Sequence, residues 1–148
     1  ETESVLKKHK DGQTWLHTGD IGCMDEDGFI YFKSRLKRLI VSSGYNIYPS
    51  YIEGIINKHE YVSNCTVIGI PDKYRGQIAK AFVVLKKEVK LNEGVEEEIK
   101  EYCKKYIAKY SMPRIFEFRK ELPKTLVGKI AYSVLEEEEK VKEKFTKK

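Results

Sequence analysis

A chain of 148 residues is long enough to bury a real core and has the size of one domain. Its 28 Lys+Arg against 23 Asp+Glu give a net charge of +5, but the two signs are interspersed, so the charge is a weak argument for a nucleic-acid partner. Cys23, Cys65 and Cys103 are odd in number and far apart, and His9, His17 and His59 show no ligand spacing, so neither a disulfide frame nor a metal site is expected. No run approaches the length of a membrane span and no signal peptide opens the chain, which predicts a soluble intracellular protein. The polar start at Glu1, without methionine, reads as the cut end of something longer.

In chain order, "TWLHTGD" is followed by "IGCMDEDGFIYFK", where two apolar runs flank Asp25-Glu26-Asp27-Gly28 and predict a hairpin. The run from Leu39 to Val41 is extended and breaks at Ser42-Ser43-Gly44; Pro49 then opens a short helix with Ile52, Ile55 and Ile56 on one face. "CTVIGIPD" and "AKAFVVLKK" are continuous apolar runs, the pattern of strands buried on both faces, and both are expected centrally in a sheet. From Glu93 to Lys109 the residues Val95, Ile99, Tyr102, Cys103, Tyr106 and Ile107 recur at helical spacing. "RIFEFRKELP" alternates as a strand. Ile130 to Phe145 reads as a closing helix whose glutamates form a solvated face, Glu136 and Glu138 each preceding a lysine by four residues. Alternating strands and helices predict an α+β or α/β domain with a small sheet covered by helices.

The Gly128-Lys129 pair in "LPKTLVGKIAYSV" invites comparison with the P-loop, G-x-x-x-x-G-K-[ST]. That comparison fails, because Pro123 stands where the first glycine belongs and Ile130 where the hydroxyl residue belongs. Taken alone, Lys129 also fits a surface lysine after a turn glycine, Asp20 a turn carboxylate, Arg35 one of several surface cations beside Lys33, Lys37 and Arg38, and Gly44 an ordinary turn glycine.

Three stretches in order resemble one family, the adenylate-forming acyl-CoA synthetases, over nearly the whole chain. "TGD" (Thr18 to Asp20) resembles their ribose-binding motif, "SRLKRLIVSSGYNIYP" their hinge and the loop after it, and "LPKTLVGKI" the stretch with the catalytic lysine. "VSSGYNIYP" is similar to a run of the bacterial long-chain fatty acid CoA ligases, and Lys37 stands where peptide synthetase adenylation domains usually have aspartate.

The resemblance implies an α+β fold: a small mixed sheet covered by helices plus an N-terminal β-hairpin. Residues 1–36 would end the N-terminal domain and 37–148 would form the mobile C-terminal domain. It implies a fragment of an acid-CoA ligase that makes acyl-AMP from a carboxylate and ATP and passes the acyl group to CoA. In this picture Lys129 is catalytic, Asp20 and Arg35 bind the nucleotide, Lys37 is the hinge, and Ser43 and Gly44 lie on the loop that meets CoA. Expected partners are the missing N-terminal domain, ATP or AMP with Mg, a fatty or other carboxylic acid, CoA, and a protein acetyltransferase acting on Lys129. No cofactor tightly bound by the fragment and no nucleic acid are expected. The implied location is cytoplasmic, with membrane-peripheral association of the whole enzyme as a second option.

Two alternatives remain open at the level of sequence. One is a related enzyme that loads a carrier protein, since both acceptors end in the same thiol arm. The other is a basic nucleic-acid-binding module using the ten tyrosines, although many of these fall on apolar faces and are expected in the core. The chain departs from the family at Ser34, at Tyr51 and at Ala131-Tyr132, where relatives usually have Leu-Arg-Arg after "GKI". It also lacks a Ser/Thr/Gly-rich phosphate loop, so the fragment alone is expected to be inactive.

Overall fold

In the computed structural model residues 5–146 are described, and the chain divides into two compact units between Lys37 and Arg38. The first consists of two antiparallel hairpins, β1 (Leu6–Lys8) with β2 (Thr14–Leu16), and β3 (Asp20–Met24) with β4 (Ile30–Arg35). The second hairpin is the one expected from the Asp25–Gly28 turn. Its Asp25 carboxylate accepts hydrogen bonds from the Tyr31 hydroxyl (2.7 Å) and the Phe29 amide (2.8 Å), which hold its pKa below the usual carboxylate value. The first hairpin went unanticipated, because "LKKHKDG" carries almost no apolar alternation. Met24, Phe29, Ile30 and Phe32 of the β3–β4 hairpin are all exposed, and every buried apolar residue among those described lies at Ile40 or beyond.

The second unit runs β5 (Ile40–Ser42), β6 (Tyr45–Ile47), α1 (Pro49–Ile56), β7 (Val62–Asp72), β8 (Gly76–Leu85), α2 (Glu93–Tyr106), β9 (Ile115–Arg119) and α3 (Tyr132–Thr146). Its five strands form one mixed sheet, ordered β6-β5-β8-β7, with β9 joining β8 in parallel. Strand β8 is central, paired along its length with β7 and on its other side with β5 and β9. Strand β7 therefore lies at the margin, not centrally as its apolar run predicts. It is buried because α1 and α3 both pack on it. Val67 joins the cluster formed with Ile52, Ile56, Ile99 and Cys103, while Ile68 joins Phe82, Leu122 and Leu135 in a second cluster. A continuous apolar run reports coverage of both faces, not pairing of both edges.

The ends of α2 follow from local chemistry. The Asn92 side chain caps the Val95 amide at 2.9 Å, Glu93 and Glu96 occupy the first turn, and Lys104 and Lys105 the last, each sign matching the helix dipole. Two expectations need correction. Tyr31, Tyr45, Tyr51, Tyr74, Tyr106 and Tyr110 are exposed and not in the core. Their hydroxyls can stay hydrogen-bonded at the surface, as Tyr31 does by donating to Asp25 and Tyr51 by donating to the Tyr106 carbonyl at 3.3 Å. Nor is the glutamate run of α3 wholly solvated: Glu138 and Glu139 turn toward basic residues of the sheet. Among the described residues no helix is long and apolar enough to cross a membrane.

Candidate functional site

In the first unit, Asp20 and Arg35 sit opposite one another at the open end of the β3–β4 hairpin, paired in register. The Asp20 carboxylate and the Arg35 guanidinium are 2.9 Å apart, and Arg35 also donates to the Thr18 carbonyl at 3.2 Å. The Thr18 hydroxyl accepts from the Asp20 amide at 3.1 Å, and the Leu36 amide donates to the Gly19 carbonyl at 2.7 Å. "TGD" is thus a tied loop that holds an exposed carboxylate beside a planar cation, a combination able to accept hydrogen bonds from vicinal hydroxyls and donate to anionic oxygens. Lys37 follows in the 3₁₀ turn Leu36–Arg38, exposed, where the chain passes from one unit to the next.

In the second unit, Ser43 and Gly44 are the two turn residues of the β5–β6 hairpin. Both have positive φ, 50° and 82°, as a tight two-residue hairpin turn requires, so Gly44 answers a backbone demand even though a Cβ there would meet nothing within 4 Å. The Ser43 amide donates to the Arg75 carbonyl at 2.8 Å, joining this tip to the β7–β8 turn. The sequence marked only a break here; strand β6 beyond it was missed because three residues are too few to show alternation.

Lys129 lies in a separate turn between β9 and α3. A bridge between Lys124 and Ile130 closes it, the Thr125 amide donates to the Lys129 carbonyl at 2.7 Å, and the Lys129 amide donates to the Thr125 hydroxyl at 3.2 Å. Gly128 adopts φ 80°, which sends the chain back toward α3. The Lys129 side chain is exposed at the tip, beside a fully exposed Leu126 and an exposed Val127. The base of this loop is packed, in contrast to its exposed tip. Leu122 and Leu135, on either side, are buried against Phe82 and Ile68.

An ion network fastens the same two ends. The Lys80 ammonium lies 2.7 Å from Glu117 on β9 and 2.8 Å from Glu139 on α3; Arg119 reaches Glu138 at 2.6 Å; Lys142 reaches Glu139 at 2.7 Å and Glu117 at 3.1 Å. Burial works to raise the Glu117 carboxyl, but Lys80, Arg119 and Lys142 outweigh it and draw its pKa down to about 2. Sequence reasoning missed this network. The available signal was Lys80 itself, one charge inside the apolar run "IAKAFVV", which a buried strand tolerates only with partners.

Arg38 was likewise read only as one of several surface cations. Its guanidinium contacts the Glu53 carboxylate at 2.5 Å and the Val67 carbonyl at 3.2 Å, and its Cζ lies 3.8 Å from the centre of the Tyr132 ring. Glu53 also accepts from the Val67 amide at 2.8 Å and the Thr66 hydroxyl at 2.9 Å. The buried thiols Cys65 and Cys103 have pKa values pushed up by burial, Cys103 to about 11, which removes them as nucleophiles. Among the described residues no cluster of three or more His, Cys, Asp or Glu is arranged to hold a metal ion.

The chain is similar to known proteins over most of its length. The chain is 49% identical over 139 residues to a long-chain-fatty-acid–CoA ligase of Bacillus subtilis, covering 94% of this chain and 23% of that protein. Among solved structures, a Mycobacterium tuberculosis fatty acyl CoA synthetase matches with a TM-score of 0.68 at 41% identity, over 88% of this chain and 25% of the other. ATP-bound MatB from Rhodopseudomonas palustris matches with a TM-score of 0.78 at 32% identity, over 92% and 26%. The chain thus spans about a quarter of the length of these relatives. The family described as AMP-binding enzyme C-terminal domain matches residues 51–129, more than half of the chain and including Lys129. The mixed α+β fold, the sheet with its covering helices and this match lead to one conclusion: the chain belongs to the AMP-binding enzyme C-terminal domain family.

Proposed function

We propose that the chain is the C-terminal part of a cytoplasmic acid–CoA ligase acting on a fatty acid. The observation that carries this reading is the identity to the Bacillus subtilis ligase across 94% of the chain. In the adenylation step the substrate carboxylate attacks the α-phosphate of ATP, giving acyl-AMP and pyrophosphate. Two anions must meet, and charge builds on the phosphate oxygens. Lys129, exposed on a turn whose base is packed into the core, supplies an ammonium where that charge develops. Asp20 accepts from the ribose hydroxyls, with Arg35 orienting its carboxylate. The magnesium expected with ATP would be held by its phosphates and the longer protein, since no cluster of three or more His, Cys, Asp or Glu among the described residues is arranged to hold a metal ion.

In the thioester step the CoA thiol displaces AMP from the acyl carbonyl. We assign residues 1–36 to the end of the N-terminal domain and 37–148 to a domain that turns about Lys37, bringing the Ser43-Gly44 tip toward the thiol arm in the second step. Exposure of Lys129 also leaves it open to a protein acetyltransferase, which would remove its charge. The test is a separate assay of the two half-reactions in the longer protein containing this chain, with fatty acid and CoA. Fatty-acid-dependent pyrophosphate exchange followed by CoA thioester formation is expected; exchange with transfer to a carrier protein in place of CoA, or no exchange at all, would refute the reading.

A further inference from the structure

We propose that Arg38 is a positioning residue for Lys129, acting through the ring of Tyr132; this rests on the reading of Lys129 as the reacting ammonium. Arg38 directly follows Lys37, and its side chain is only 16% exposed. One guanidinium holds three separate elements. It pairs with Glu53 of α1, donates to the Val67 carbonyl of β7, and lies over the ring of Tyr132, the first residue of α3. Tyr132 stands three residues after Lys129, and the Ala131 amide between them closes the Lys129 loop by donating to the Pro123 carbonyl at 2.8 Å.

Two consequences follow from this geometry. A backbone rotation at Lys37 stops at Arg38, because the next side chain is already fastened to α1 and β7 at 2.5 Å and 3.2 Å. The start of α3, and with it the return strand of the Lys129 loop, is registered against the same guanidinium by an attraction between a cation and the ring face. Arg38 therefore refers the position of the ammonium to the pivot. Tyr132→Arg would replace this contact by two cations set against each other. Lysine cannot replace Arg38, since a single ammonium does not serve a carboxylate, a carbonyl and a ring face at once.

The first test uses the chain itself and does not depend on activity. Amide hydrogen exchange is compared in wild type, Tyr132→Phe and Tyr132→Leu. Phe keeps the ring face and should match wild type. Leu removes it and should speed exchange at Gly128, Lys129 and Ala131 about fivefold or more, while Ala81 and Val83 in β8 stay unchanged. Equal behaviour of the Leu and Phe variants, or a rise shared by β8, would overturn the link. The second test measures adenylation in the longer protein with Tyr132→Leu, Arg38→Lys and Lys129→Ala. A fall in kcat with unchanged KM for ATP in the first two, and restoration by Tyr132→Phe, is expected. Full activity of Tyr132→Leu and Arg38→Lys beside an inactive Lys129→Ala overturns the positioning role and leaves the role of Lys129 standing. An active Lys129→Ala overturns both.

Discussion

The Lys80 ammonium lies 2.7 Å from the Glu117 carboxylate, although only 7% of the lysine side chain meets solvent. A cation so buried costs several kcal/mol unless it is paired, and here two carboxylates from β9 and α3 share it. The pair thereby fixes the spacing of the two elements that carry the Lys129 loop.

Acid should release this fastening. The folded-state pKa of Glu117 is about 2 against an ordinary 4.5, so its contribution is complete above about pH 4.5 and is lost as pH falls toward 2. Glu117→Gln should cost on the order of 2–3 kcal/mol near neutrality, and its loss of stability between those pH values should be visibly shallower than that of wild type. Urea unfolding across this range is the measurement, and parallel acid limbs in the two proteins would count against the assignment.

Leu135 is fully buried beside Phe82, Ile68 and Leu122. Leu135→Ala should lower stability by about 3 kcal/mol through lost transfer energy and a residual cavity. Thermal unfolding checks this, and a change under about 0.5 kcal/mol would mean that α3 is not anchored there.

The chain alone should fold yet give no ATP–pyrophosphate exchange with any fatty acid, since it has no glycine-rich phosphate loop. Amide dispersion in an NMR spectrum together with an exchange assay separates folding from activity. Exchange above background from the pure chain would contradict the division of labour proposed here.

In the longer protein, Lys129→Ala should slow adenylation roughly a hundredfold, about 3 kcal/mol for one lost transition-state cation, and leave thioester formation from supplied acyl-AMP nearly intact. Acetyl-lysine at the same position should reproduce that selectivity, because it removes the charge and keeps the bulk. Adenylation at the wild-type rate in the acetylated protein would return Lys129 to the status of a surface residue.

Lys37→Pro should hold φ near about −65° and impair one half-reaction far more than the other. Gly44→Trp should spare adenylation and impair thioester formation, with a small drop in thermal stability from the positive φ of that turn. Equal losses in both steps for Lys37→Pro, or normal thioester formation in Gly44→Trp, would displace the two residues from these roles.

Much of the fold was legible from local pattern. Ile52 and Ile56 lie buried in α1, Ile99 and Cys103 in α2, and the Asp25 turn joins β3 to β4. What failed depended on partners distant in sequence. Nothing within "CTVIGIPD" tells that its outer edge lacks a strand, because α1 and α3 bury it as fully as neighbours would. Nothing in "EEEEK" tells that Glu138 and Glu139 find Arg119 and Lys80, whose positions are set by β9 and β8. The candidate site residues could be proposed from motifs, "TGD" and "GK", since each is a local turn. The Arg38–Tyr132 contact could not, being made between residues almost the whole second unit apart.

The bonds that Val67 makes to Glu53 and Arg38 bear on a hazard of a different kind. A strand at the border of a sheet offers spare amides and carbonyls on which another chain can template itself. At the middle of β7 both groups are already occupied by a carboxylate and a guanidinium, so an incoming strand would have to displace a partly buried ion pair before pairing there. Were the domain to turn about Lys37 as proposed, such a guard would keep the border from pairing with other copies of the chain.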